Sequence, residues 1–393
     1  MNWIKNTILL LVSLTFCYGL VVVSDWYLEK NIAKKSKIIN KNAKKIEKLL
    51  ADKNIKTKIN LKNDGYRSIV LPSLWDDLYS EIDSLNSTYP PLIAGLPLTK
   101  TYYCDEGEGF KKYISDRFGF RNDDESWDKR IKTIFIGDSF THGACVDNSN
   151  TISNKYQEFS KKNSVNLGFS GNNSSHYLTY AKLFIPKIKP DEVFLVFYAN
   201  DFKEDKKSII EKVYIDNNAD FFSQNRLGII NEKKYFEVAE QIFLEKKKQK
   251  LNDRKKNLVI KKVEKKPNHF VYKIIKNLNN HSSLPFIRYL ILRNKIIFKP
   301  VKRTVLETIK LCKNFSCQLH IVYIPNSKFW RTDTSADSNA DKLKRFANKN
   351  NVLFFDGRKV INREKGSDDY AVAGPHLSSL GYFKIAELIY NNQ

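Results

Sequence analysis

Residues 191–201 read DEVFLVFYAND, and from Val193 to Tyr198 no side chain is charged or small. A strand points successive side chains to opposite faces, so this run has to be covered on both. An antiparallel sheet with one wet face alternates apolar and polar residues; a parallel sheet sandwiched between helices gives continuous apolar runs. Similar short runs occur at Thr133–Ile136, at SVNLGFSG (164–171), at SCQLHIVYIP (316–325) and at NVLFFDG (351–357). Helical stretches separate or follow them at 149–162, 174–188, 302–314, 336–349 and 378–391. Strand and helix in alternation predict an α/β fold, a doubly wound parallel sheet of flavodoxin-like order.

Two regions break this rhythm. Residues 65–131 are loop-rich, punctuated by YPPLIAGLPL and YISDRFGFRND, and form an N-terminal extension of the main domain. Residues 202–300 read as a basic, mostly helical insertion between the third and fourth strands, with Pro267 as a breaker. The domain proper spans 132–393.

The chain carries 67 Lys+Arg against 43 Asp+Glu, a formal charge of +24. Most of the excess sits in two tracts. Residues 30–63 hold twelve lysines against Glu47 and Asp52, and residues 246–276 hold thirteen basic residues against Asp253 and Glu264. The remainder is close to neutral, which argues against a nucleic-acid groove through the main domain and gives no nucleic-acid partner. A general enrichment in Lys, Asn and Ile offers a second, compositional reading of the charge.

Residues 7–24 contain no charge, and 18 helical residues span roughly 27 Å, enough for a bilayer core. Their length and the lack of a small-residue cleavage site favour a single-pass membrane anchor over 1–24 rather than a removed leader. Residues 25–64 follow as a basic helical stalk, with Leu28, Ile32, Ile39, Ala43, Ile46 and Leu50 on one stripe. The lysines after the span pull the rest toward the cytoplasm, whereas a signal anchor places it outside. We expect an inner-membrane protein with its main domain on the extracytoplasmic side.

Open α/β sheets build sites where the strands end. Gly137-Asp138-Ser139 follows the first strand, Gly171-Asn172 the second and Asn200-Asp201 the third, while His376 lies before the last helix. A serine hydroxyl needs a base, and a histidine serves at neutral pH. The oxyanion formed on attack needs fixed N–H donors. Ser139 and His376 are thus nucleophile and base, and the N–H groups of Ser139 and Gly171 with the Asn200 amide form an oxyanion hole.

In these blocks the chain resembles the bacterial SGNH, or GDSL-type, hydrolases. GDSFTHG holds Ser139, VNLGFSGNN holds Gly171, YAND holds Asn200 and PHLSSLGY holds His376. SDRFGFRN ahead of GDSFTHGACV is similar to a membrane-anchored subgroup associated with surface polysaccharides. The resemblance implies the SGNH hydrolase fold, a serine esterase or O-acyltransferase, and an acylated glycan or other ester as substrate. It implies no metal and no cofactor. A transferase needs an acyl donor from across the membrane, hence a multi-span acyltransferase partner.

Two departures stand out. Tyr198 occupies a usual glycine. Ala373 stands three residues before His376, where such enzymes carry the acid. Asp369 and Asp368 are the nearby candidates, and a dyad without acid is the alternative. Asn172 is expected to contact substrate or cap the following helix, and His142 to contact substrate or serve structure. Asp138 supports the turn. His320 is a satisfied core residue, while His176, His269 and His281 lie on the surface. Cys17 falls in the apolar span. Cys104 and Cys145 are candidates for a disulfide clamping the extension to the catalytic edge, with buried thiols the alternative for all four remaining cysteines. Ala373 also motivates a second function, a non-catalytic glycan-binding or assembly module, and the lysine tracts a third, binding to anionic surfaces.

Overall fold

The computed structural model describes residues 54, 56–83, 91–202, 207–218, 220–222, 235–249, 298–330 and 335–393. The expected anchor, most of the stalk and the centre of the insertion lie outside these residues. Among the described residues no helix is long and apolar enough to cross a membrane.

The strands are, in chain order, β1 (Arg67–Ser68), β2 (Lys100–Tyr103), β3 (Lys111–Ile114), β4 (Thr133–Gly137), β5 (Ser164–Gly168), β6 (Glu192–Tyr198), β7 (Gln318–Ile324) and β8 (Leu353–Asp356). The last five form one parallel sheet in the order β5-β4-β6-β7-β8. The principal helices are α1 (Trp75–Asp83), α2 (Ser139–His142), α3 (Ile152–Ser160), α4 (Ser174–Ile188), α5 (Phe298–Phe315), α6 (Ser335–Lys349) and α7 (Ser379–Asn391).

Strand β6 explains the layering. Val193, Leu195 and Phe197 pack into one core with Tyr177 and Phe184 of α4, Val301 of α5 and Leu343 of α6. Phe194, Val196 and Tyr198 pack into the opposite core with Ile152 and Tyr156 of α3 and Tyr382 and Ile385 of α7. Alternate side chains of one strand therefore feed two helix layers, as the unbroken apolar run requires.

The extension has more regular structure than its Gly and Pro content suggests. β1 pairs parallel with β2, and β2 antiparallel with β3. These strands have only two to four residues, too few for an alternating pattern to declare itself. Trp75 anchors the extension: it is fully buried, and its indole N–H donates to the Val70 carbonyl at 3.1 Å. The described ends of the insertion also join the core. Ile210, Tyr214, Phe221, Tyr235 and Ile242 are buried in the α4–α6 layer, and the buried Glu211 pairs with Arg303 of α5 at 2.6 Å.

Candidate active site

The position of Ser139 begins with two glycines. Gly137 ends β4 and Gly168 ends β5, paired across the sheet. A Cβ on Gly137 would stand 1.9 Å from the Thr141 hydroxyl, and one on Gly168 would stand 2.5 Å from the His142 nitrogen. Their bare backbone lets α2 settle directly on the strand ends. Asp138 caps α2, its carboxylate accepting the Phe140 N–H at 3.0 Å. Ser139 is the first residue of that helix, half-buried at the sheet's carboxyl edge.

His376 Nε2 lies 2.9 Å from Ser139 Oγ. His376 Nδ1 lies 2.7 Å from Glu106 Oε1, while Glu106 Oε2 accepts the His376 backbone N–H at 3.0 Å. Ser139, His376 and Glu106 form a continuous hydrogen-bonded row. A carboxylate at Nδ1 holds the neutral imidazole with its proton on Nδ1 and its lone pair on Nε2, facing the serine.

The carboxylate that meets the imidazole is therefore neither of the two the sequence singled out. Asp369 is buried and engaged elsewhere, accepting the Asn362 N–H at 2.7 Å and pairing with Lys384 at 2.8 Å. Asp368 is exposed and does not bond to the imidazole. Glu106 comes from the β2–β3 connection, 270 residues from the histidine. The Ala373 N–H donates to the Glu106 carbonyl at 2.7 Å, and a Cβ on Gly374 would stand 1.8 Å from Glu106 Cδ. Small residues at 373 and 374 thus open the space that a distant glutamate fills. Sequence did carry a signal: Cys104, two residues before Glu106, was a candidate partner of Cys145. The structure joins Cys104 to Cys145, which ties the acid's loop to the residues just after α2. It also joins Cys312 to Cys317.

Gly171 and Asn200 follow β5 and β6, the two strands flanking β4. Among the described residues, no acceptor meets the N–H of Ser139 or Gly171, and the Asn200 amide oxygen is buried without a partner. The turn carrying Asn200 is fixed by Asp201, whose carboxylate accepts the Tyr198 N–H at 2.7 Å and the Tyr177 hydroxyl at 3.0 Å. Tyr198, the residue that replaces a glycine, stacks on Phe140 with centroids 4.0 Å apart. It fills the space beneath the helix that presents the serine.

Two sequence candidates are structural. Asn172 is buried, donating to the Gly137 carbonyl at 3.0 Å and accepting from the Tyr180 hydroxyl; the helix cap belongs to Asn173. His142 is fully buried, its nitrogens 3.0 Å from the Tyr113 hydroxyl and 2.9 Å from the Ser170 hydroxyl. Burial holds its pKa well below the ordinary value, so it is a neutral strut and not a substrate contact. His176 is not on the surface: it completes a capping box with Asn173 at the start of α4, and burial lowers its pKa to about 3. His320 is in the core, stacked on Phe194, but neither ring nitrogen has a hydrogen-bond partner among the described residues, and burial lowers its pKa to about 4.

The SDRFGFRN block supports the turn after α2 and the neighbouring strand β5. Asp116 is buried and accepts four donors: the Phe118 and Phe120 N–H groups, the Asn122 amide and the Trp127 indole. Burial pushes its pKa up to about 6, against the pull of these donors. Arg121, also buried, donates to the Gly143 carbonyl at 2.7 Å and the Val146 carbonyl at 2.8 Å, stitching the turn after α2. Asn122 exchanges bonds with the backbone of Asn166 in β5.

No family model matches the chain, and no curated protein matches it. Its structural neighbours include G-D-S-L family lipolytic proteins and esterases. One is a lipolytic protein of the G-D-S-L family from Desulfitobacterium hafniense, with 12% identity over 66% of this chain and 98% of that one and a TM-score of 0.39. A family 3 carbohydrate esterase from Clostridium thermocellum shares 12% identity over 67% of this chain and 94% of its own, with a TM-score of 0.34. The acetylxylan esterase Axe2 from Geobacillus stearothermophilus shares 17% over 66% and 93%, also at 0.34.

Proposed function

We propose that the chain is a serine esterase or O-acyl-transfer enzyme of SGNH type, acting on acylated cell-surface glycan. The observation that carries this reading is the row Ser139–His376–Glu106, with contacts of 2.9 and 2.7 Å. Ser139 Oγ attacks the ester carbonyl while Nε2 takes its proton. Glu106 stabilises the imidazolium that forms, and the Ser139 and Gly171 N–H groups with Asn200 receive the oxyanion. The imidazolium then protonates the leaving alkoxide. Water accepts the acyl group in an esterase and a sugar hydroxyl in a transferase, the latter drawing its acyl donor from a multi-span membrane partner.

A groove of about 610 Å³ supports the glycan part of the proposal. It shares the 368–378 loop with His376, and its lining includes Phe329, Trp330, Val372, Glu108, Glu364 and Asp368. Aromatic faces suit the C–H faces of sugars, and carboxylates accept hydroxyl hydrogen bonds. Three carboxylates against Lys365 favour neutral or amino sugars over uronic acids. In this reading residues 7–24 anchor the enzyme in the inner membrane, with the domain outside the cytoplasm. The binding-module alternative is motivated by Ala373, and the contact of Glu106 with His376 Nδ1 supports the catalytic reading over it.

The test is labelling of the full-length chain by a fluorophosphonate, with turnover of p-nitrophenyl acetate, beside Ser139→Ala and His376→Ala. Both signals should vanish in both variants. A folded wild-type protein that neither labels nor turns over ester overturns the proposal.

A further inference from the structure

The corner where the acid meets the base holds more than a triad needs. Cys104 Sγ lies 4.0 Å from His376 Nδ1 and Cys145 Sγ lies 3.8 Å from it. With the Glu106 carboxylate, four donor atoms stand within 4.8 Å of one another. Cys145 is buried and the other three residues are half-buried, so the cluster is sheltered yet within reach of a small ion. As a disulfide the sulfurs are poor ligands. As two thiols they complete a set of two sulfurs, one imidazole nitrogen and one carboxylate.

We propose that reduction of Cys104–Cys145 converts this corner into a site for Zn²⁺ or a similar thiophilic divalent ion, held by Cys104, Cys145, Glu106 and His376. Tetrahedral zinc, with bonds of about 2.3 Å to sulfur and 2.0 Å to nitrogen, sets sulfur and nitrogen ligands roughly 3.5 Å apart. The sulfurs already stand near that distance from Nδ1, and side-chain rotation separates them from each other. Thiolate and imidazole together select zinc over magnesium or calcium.

The chemistry balances with a dithiol reductant. It supplies two electrons and two protons, the S–S bond breaks, two S–H bonds form, and the reductant becomes a disulfide. The metal then displaces both thiol protons. Its bond to Nδ1 also moves the imidazole proton to Nε2. Nε2–H then donates to Ser139 Oγ where before it accepted, and the serine has no base. Metal binding is independent of the hydrolase reading; the inhibition rests on it.

The full-length chain, oxidised or reduced with a phosphine that is then removed without air, is titrated with Co²⁺ and then Zn²⁺. Reduced protein should show a thiolate-to-cobalt charge-transfer band with the visible bands of a tetrahedral site, both bleached by zinc. Oxidised protein should show neither. Glu106→Gln should bind about tenfold or more weakly, and a Cys312→Ser/Cys317→Ser variant should keep the band. Zn²⁺ should inhibit ester turnover only after reduction. A reduced, folded wild type without the band overturns the site, as does a band that survives Cys145→Ser and is lost with Cys312 and Cys317. Ester turnover with no band defeats this proposal alone. The expected band in a protein with no turnover in either redox state upholds the metal site and removes the hydrolase reading.

Discussion

Replacing Glu106 by glutamine keeps the length of the side chain and removes one of its two acceptors. The carboxylate serves two donors at once, the imidazole at Nδ1 at 2.7 Å and the His376 backbone N–H at 3.0 Å. An amide has one oxygen, so one of these sites must face its NH₂. If the oxygen stays on the backbone N–H, the NH₂ faces Nδ1 and forces the proton to Nε2. That tautomer is useless as a base, and the same error in a serine protease triad costs about 10⁴ in turnover. If the oxygen turns to Nδ1, a buried N–H loses its acceptor at about 1–3 kcal/mol, and the imidazolium loses a charged partner for a further ~1–2 kcal/mol. Since ~1.4 kcal/mol is tenfold in rate, the expected loss in kcat lies between roughly thirtyfold and 10⁴. The assay is p-nitrophenyl acetate turnover at pH 8, with KM expected to stay within about twofold because no substrate contact is removed. Asp369→Asn, compared per folded molecule, should stay within about threefold of wild type. A fully active Glu106→Gln protein, or an inactive Asp369→Asn protein with unchanged folding, would refute the assignment of the acid.

Gly374→Ala places a methyl on the Glu106 carboxyl carbon; turnover should fall about a hundredfold with little change in melting temperature, as the acid is displaced and the core is untouched. Arg121→Met removes both bonds to the turn after α2; turnover and melting temperature should both drop, and Arg121→Lys should not restore them because one ammonium cannot serve both carbonyls as the guanidinium fork does. His320 stays neutral in the fold down to about pH 4, whereas in the unfolded chain it takes up a proton below about 6.5. The unfolded state binds more protons in that window, so stability is complete above it and falls as the pH drops. The loss is about 2 kcal/mol between pH 7 and pH 5, and urea melts of His320→Phe at both values should show that much less acid sensitivity.

The sheet was readable because β4, β5 and β6 are buried along their whole length and β7 along nearly all of it, and each announces itself as an apolar run between helices. The same reasoning singled out Ser139, Gly171 and Asn200, since a parallel sheet brings the residues at its strands' carboxyl ends to one edge, while His376 came from its place before the last helix. It failed at Glu106 because that residue follows no strand of the main sheet. It lies in a loop of the small sheet, whose strands are too short to give a period. The acid reaches the histidine through tertiary packing that only Cys104, Ala373 and Gly374 hint at. For His142 and Asn172 the sequence left a substrate contact and a structural role open, and only their buried partners decide for structure, while His176, expected on the surface, is buried in the cap of α4. Tyr113 and Ser170, the partners of His142, lie on elements that local pattern does not bring near it.

Glu106, Ser139 and His376 are also laid down in that order during translation, with 270 residues separating the first from the last. A chain emerging from the ribosome acquires its acid early and its nucleophile soon after. It carries no base until the whole sheet and the insertion have been made. Under the proposed function such a nascent chain has no working site, and a fragment starting at β4 would hold the serine and histidine but not the carboxylate. Full activity would then require extension, sheet and closing helix all to have found one another, and a simple chromogenic ester would report completed assembly.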